Sequence, residues 1–185
     1  AIAILIIVNI SKILRTINSE VDYLAEEAVA GNLNTRGDDS KIDNQFRSII
    51  QGFNKTLDAL TEPVDIAANY VADIASGHLP DVITEEYNGD FNTLKNNLNL
   101  CINNLNGLTN EMENITQEQV KGDIDAFADE DKFEGSYKTI IKGFNTGMKI
   151  HIDAILLILE KLEKYSIGDL DEKMPDMPGK QIAAT

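Results

Sequence analysis

The sequence predicts an all-α fold, and three observations predict it. Val64, Ala67, Val71 and Ile74 recur at spacings of 3, 4 and 3, and beyond Gly77-His78-Leu79 the residues Phe91, Leu94, Leu98, Cys101 and Leu105 resume at 3, 4, 3 and 4. That is a heptad seam on each side of a glycine-marked connector. The same unit recurs along the chain: Gly31-Asn32-Leu33, Gly77-His78-Leu79, Gly122-Asp123-Ile124 and Gly168-Asp169-Leu170 share the order glycine, polar, aliphatic, 46, 45 and 46 residues apart. A second landmark keeps step with the first. Phe46…Phe53-Asn54, Phe91…Leu98-Asn99 and Tyr137…Phe144-Asn145 begin 15, 14 and 15 residues after the preceding glycine. Two landmarks in register define an internal repeat. Finally, the apolar/polar alternation of half-buried strands is nearly absent, Pro is scarce and Trp is missing, so the core must rest on Leu, Ile, Val and Ala.

The elements follow in order. Ala1–Val8 is an unbroken apolar run, too short to span a bilayer, which needs roughly 20 residues. It has neither the basic start nor the small-residue cleavage site of a secretory signal. Lys12 and Arg15 follow it directly, as on the cytoplasmic side of a membrane helix. Residues 1–10 are therefore expected to be the cytoplasmic end of a truncated transmembrane helix; a buried helix start is the alternative.

Repeat 1 occupies residues 11–60. Its first helix carries Ile17, Val21, Leu24 and Ala28 and ends at Gly31, because glycine takes the left-handed C-terminal position without strain. A polar connector, Asn32–Asn44, leads to a second helix with Phe46, Ile49, Phe53, Leu57 and Leu60. The seam then runs on through Val64 and Ala67, so this helix is expected to continue into repeat 2, residues 61–105. Pro63 removes one backbone donor and marks either a kink or a fresh first turn. The second connector carries Leu79, Val82 and Ile83, and Glu85, Glu86 and Asp90 suit the positive end of the next helix. That helix runs from Phe91 through Leu98, Cys101, Leu105, Leu108, Met112 and Ile115 into repeat 3, residues 106–150. The third connector holds Ile124, Phe127 and Asp129-Glu130-Asp131, and the next helix Tyr137, Ile140, Phe144 and Met148. Residues 151–185 form a partial repeat 4 that reaches Gly168, with Met174, Pro175, Met177 and Pro178 beyond it. Counted back from the glycine, apolar groups stand at −3, −6, −10 and −13 in repeats 2 and 4, but at −3, −7, −10 and −14 in repeat 1. Repeat 3 follows repeat 1 except for Gln119 at −3. Odd and even copies are thus expected to alternate in packing.

A net charge of −15 opposes nucleic-acid binding, which needs clustered Lys and Arg, and fits a solvated acidic surface. The lone Cys101 allows no intrachain disulfide and is expected to be a small buried hydrophobe in the seam. No phosphate loop or zinc spacing occurs. His78 and His151 lack the acidic neighbours of a carboxylate–His metal motif or a phospho-acceptor site, and Glu85-Glu86 and Asp38-Asp39 lie in loops without a neighbouring base. No catalytic residue, cofactor site or metal site is expected, and the chain is not read as an enzyme. Asn54, Asn99 and Asn145 are either register-fixing polar bridges between helices or, the reading preferred, exposed residues inherited by duplication.

These residues together resemble the HAMP domain, the linker that couples transmembrane sensors to cytoplasmic outputs. The resemblance rests on the four glycine triplets, on Leu79 and Ile83 in the connector, and on the acidic-plus-glycine entries Glu86–Phe91 and Glu134–Tyr137. Pro63, fourteen residues before Gly77, stands where the family often has proline. Tyr87-Asn88-Gly89-Asp90-Phe91 and Met177-Pro178-Gly179-Lys180 look most like methyl-accepting chemotaxis proteins with tandem HAMP units. Repeat 1 departs, with Ile17 in place of the proline and no apolar group near Asp39; repeat 3 has no proline either.

The resemblance implies concatenated parallel four-helix coiled-coil bundles formed by a homodimer, two helices per chain in each. It implies a relay from a membrane sensor to a cytoplasmic chemotaxis-type output at the inner face of the bacterial inner membrane. The partners would be a second copy of the chain, the membrane, and a downstream kinase-control domain. The relay residues would be Gly31, Gly77, Gly122, Gly168, Leu79, Ile83, Pro63, Phe46, Phe91, Tyr137, Ile74 and Leu98. The rival readings are the linker of a sensor histidine kinase or cyclase, and a structural coiled coil that does not switch.

Overall fold

The computed structural model describes residues 2–169, and every regular element among them is helical: α1 (Ile2–Val29), α2 (Arg47–Ala75), α3 (Gly89–Val120) and α4 (Gly135–Ser166), with 3₁₀ turns at Asp39–Lys41 and Glu130–Lys132. The connector after Gly168, with Met174, Pro175, Met177 and Pro178, lies largely outside the described residues. The all-α expectation holds, and α2 runs through Pro63 without a break. Of the two outcomes allowed for that proline, a fresh helix start is therefore excluded.

The chain divides into two compact units, Ala1–Leu98 and Asn99–Thr185. In the first, Ile17 of α1, Ile42 of the connector and Ile50 of α2 form a buried cluster, with Ile13, Val21 and Phe46 packed against it. In the second, Ile115 of α3, Ala128 and Phe133 of the connector and Ile141 of α4 do the same, supported by Leu108, Met112, Tyr137 and Met148. Each cluster ties two helices to the segment between them. Burial of such side chains stabilises each by about 1.5–3 kcal/mol.

The buried face differs from the seam read in the sequence. Ile50 and Ile141 are fully buried, whereas their seam neighbours Ile49, Phe53, Ile140 and Phe144 remain exposed. Two helices and a connector can enclose only one side of each helix, and the connector lies on the side of Ile50 and Ile141. Cys101 also departs from expectation: it is only half-buried, and its neighbour Ile102 is the fully buried residue. The expected apolar gap near Asp39 is filled by Ile42, three residues on.

Candidate relay site

Each of the four landmark glycines ends a helix in the left-handed region, with φ of 86° at Gly31, 84° at Gly77, 100° at Gly122 and 87° at Gly168. The backbone closes identically every time. Asn32 N–H donates to Glu27 O at 2.8 Å, His78 to Asp73 O at 2.9 Å, Asp123 to Glu118 O at 3.0 Å and Asp169 to Lys164 O at 3.1 Å. With the glycine N–H bonded three residues back, these are four Schellman closures, which satisfy carbonyls that a helix end otherwise leaves open.

Beyond Gly31 the connector is held from both sides. From α2, Asn54 accepts from Gly37 N–H through Oδ1 at 2.8 Å and donates through Nδ2 to Gly37 O at 2.9 Å. From α1, the Glu20 carboxylate accepts from Asp38 N–H at 3.2 Å and from Lys41 Nζ at 2.7 Å. The same four bonds recur 91 residues later. Asn145 pairs with Ala128 N–H and O at 3.0 and 2.8 Å, and Glu111 accepts from Asp129 N–H and Lys132 Nζ at 3.0 and 2.8 Å. Asp38 and Asp129 cap the two 3₁₀ turns through Ser40 and Asp131 N–H. Glu20 and Glu111 are buried, yet each has donors for both oxygens, which is what makes a buried carboxylate tolerable.

The charges respond accordingly. The backbone N–H of Asp129, and then the Lys132 ammonium, hold Glu111 below the usual carboxylate range. The hydrogen bonds to Glu20 and Glu111 push Lys41 and Lys132 upward. The bonds from Ser40 lower Asp38. Asp131 is lowered and Lys138 raised by their mutual hydrogen bond at 2.7 Å.

The Gly31 connector has one further tie. Arg36 donates to Asp58 Oδ1 at 2.8 Å, to Leu33 O and Thr35 O, and to Thr61 Oγ1 at 3.1 Å, just upstream of Pro63.

The Gly77 connector is built differently. Pro63, Ile66, Ala67, Ile83, Tyr87, Phe91, Leu94 and Leu98 line one apolar cleft, so four of the expected relay residues come together there. Ile83 and Leu98 are buried; Leu79 and Ile74 are half-buried. Phe46 and Tyr137 are not among the residues that line this cleft; each packs against the buried cluster of its own unit. Lys95, which also lines the cleft, donates to Glu85 O at 3.3 Å.

The preferred reading of the asparagines as exposed remnants is corrected for Asn54 and Asn145. Both are half-buried, and they bind the connector backbone rather than another helix. Glu20, Glu111, Lys41, Lys132 and Arg36 were missed because a heptad reading attends to apolar positions. A signal existed: the residue eleven before each glycine is Glu20, Ile66, Glu111 and Leu157 in turn. Among the described residues, no group of His, Cys, Asp and Glu could hold a metal ion.

Left-handed glycines thus close the helices, and anchored connectors bridge one helix to the next. Residues 41–107, which contain all of α2, the Gly77 connector and the first part of α3, match the family model of the HAMP domain and are consistent with a HAMP region. No curated protein matches the chain. α1 is long and apolar enough to cross a membrane by length and composition. Its Ile2–Ile10 portion is wholly exposed, whereas Ile17, Glu20 and Leu24 are buried.

Proposed function

We propose that the chain is a tandem HAMP relay of a methyl-accepting chemotaxis type of transducer, with repeats at residues 11–60, 61–105, 106–150 and, in part, 151–185. It works as a parallel homodimer at the cytoplasmic face of a bacterial inner membrane, anchored through residues 1–10. A displacement of α1 biases the row of bundles between two packings, and the shared helices hand the bias onward. The two packings must lie within a few kcal/mol of each other, because a modest input shifts only a near-balanced equilibrium. The downstream partner is a kinase-control domain.

One observation carries this reading. Heptad-spaced apolar residues of α2 and α4 remain open to solvent, among them Phe53 at 43%, Val64 at 43%, Val71 at 53% and Leu162 at 53%. A second copy of the same stripe covers them, and parallel pairing brings like positions together. Light scattering of the segment from Ser11 onward should give twice the chain mass across a concentration series. A stable, fully helical monomer would sink the bundle. Ile74→Asp or Leu98→Asp should abolish signalling in the full sensor; unaltered output would leave only a rigid coiled coil.

A further inference from the structure

The carboxylate that holds the Gly31 and Gly122 connectors to their first helices has no counterpart at the Gly77 connector, where Ile66 occupies its position. We propose that Glu20 and Glu111 are rotational locks. Each fixes the phase of its first helix against its connector, and the Gly77 unit, lacking the lock, is where the first helix is free to turn. The proposal builds on the relay reading above and names the seat of the motion.

Directionality carries the argument. Each carboxylate spends both oxygens on groups of one tight turn, a backbone N–H at 3.2 or 3.0 Å and a lysine ammonium at 2.7 or 2.8 Å. Side-chain tips lie about 5–6 Å from the helix axis, so turning the helix by about 30° swings the carboxylate about 3 Å and breaks both bonds. Asn54 and Asn145 hold the same turns to the second helix, so the connector cannot follow. At Gly77 the first helix presents the aliphatic side chain of Ile66 in place of the carboxylate, facing the apolar cleft. Apolar contact has no preferred direction, so the Ile66 side chain does not fix the phase of its helix as a two-bonded carboxylate does. The spacing agrees: the Gly31 and Gly122 connectors are one residue longer than that of Gly77, 15 against 14 residues to the aromatic, and contain the 3₁₀ turns that end on Lys41 and Lys132.

The test uses the whole chain with Cys101→Ser and two spin-label pairs, Asp22 with Asn34 across the Gly31 unit and Ala68 with Asp81 across the Gly77 unit. The Gly31 pair should give a narrow distance distribution and the Gly77 pair a broad one. Glu20→Ala should broaden the first and leave the second unchanged. Equal widths in the unsubstituted chain, or no broadening by Glu20→Ala, overturn the lock. Residue-resolved amide exchange checks that the variants stay folded. Asp38 and Asp129 N–H should exchange about tenfold or more faster in Glu20→Ala/Glu111→Ala, the effect of removing a charge-assisted bond, while Thr84 stays unchanged. Acceleration shared equally by Thr84 counts against the proposal. Glu20→Gln/Glu111→Gln, which keeps an acceptor oxygen but loses the charge, should fall between. Silence of Ile74→Asp in a signalling assay would defeat the relay reading while leaving these measurements of the lock intact.

Discussion

The connectors after Gly31 and Gly77 solve one problem with different chemistry. Both must tie an extended segment to two helices. The first uses directional bonds: Glu20 from one helix, Asn54 from the other, and Arg36 reaching Asp58 and Thr61. The second has Ile66 where the first has Glu20, within an apolar wall that also includes Ile83, Tyr87 and Phe91. The Gly122 connector copies the first at Glu111 and Asn145. Polar ties specify one geometry and lose most of their value when displaced, whereas apolar contact tolerates a range of geometries. Neighbouring units of one chain can therefore differ in stiffness while sharing a backbone plan.

Four measurements sharpen or break this contrast. The largest effect should come from the fully buried Ile50 and Ile141, where substitution by Ala costs about 2–5 kcal/mol in denaturant unfolding. Their counterpart in the Gly77 unit is Lys95, and Lys95→Ala should stay within about 0.5 kcal/mol. Equal costs at the three positions would erase the distinction.

Next is Gly37, where an added Cβ would meet Ile50 Cγ2 at 2.8 Å and Leu24 Cδ1 at 3.1 Å. Both neighbours are buried, so Gly37→Ala should cost about 1–3 kcal/mol through overpacking. Ile83, a full aliphatic residue, stands at the matching place in the Gly77 connector, so the reverse change there, Ile83→Gly, should be destabilising too. A neutral Gly37→Ala would mean that the turn sits looser than its bonds suggest.

Acid provides the third. Glu111 is held below its ordinary 4.5, so its stabilisation is complete above pH 4.5 and is lost as pH falls through the lower folded value. Lys132 is raised above 10.5, so its share is complete below pH 10.5 and is lost as pH climbs through the higher folded value. Exchange at Asp129 N–H should therefore accelerate on acidification, corrected for intrinsic rate, and Thr84 should not follow. Glu111→Gln should remove the acid limb. A Thr84 response equal to that of Asp129 would indicate global unfolding instead.

The smallest difference is expected at the helix-ending glycines. Gly31, Gly77 and Gly122 have left-handed backbones and nothing within 4 Å of an added Cβ. Alanine at each should cost about 1–2 kcal/mol from backbone strain alone, by equal amounts. A larger loss at one kind of connector would show that the closures are not equivalent.

Much of this architecture was legible in the sequence. Glycine spacing located the helix ends because a left-handed residue without a Cβ has few substitutes, and the unbroken run from Phe53 to Ala67 announced the continuous α2. The polar ties were not legible in the same way. Glu20 and Glu111 sit among many solvent-facing acids, and only tertiary structure shows which carboxylates meet a turn. Nor could heptad spacing separate Ile49 from Ile50: both are large and aliphatic, and the connector decides which is covered.

The continuity of α2 through Pro63 also governs which changes of length the chain can inherit. One rod serves as the second helix of one unit and the first of the next. A residue inserted within it turns everything beyond by about 100°, and only whole heptads restore the register. The connectors already differ by one residue, 15 against 14. Insertions and deletions should therefore accumulate in connectors, leaving helix lengths the most heritable quantity in the molecule.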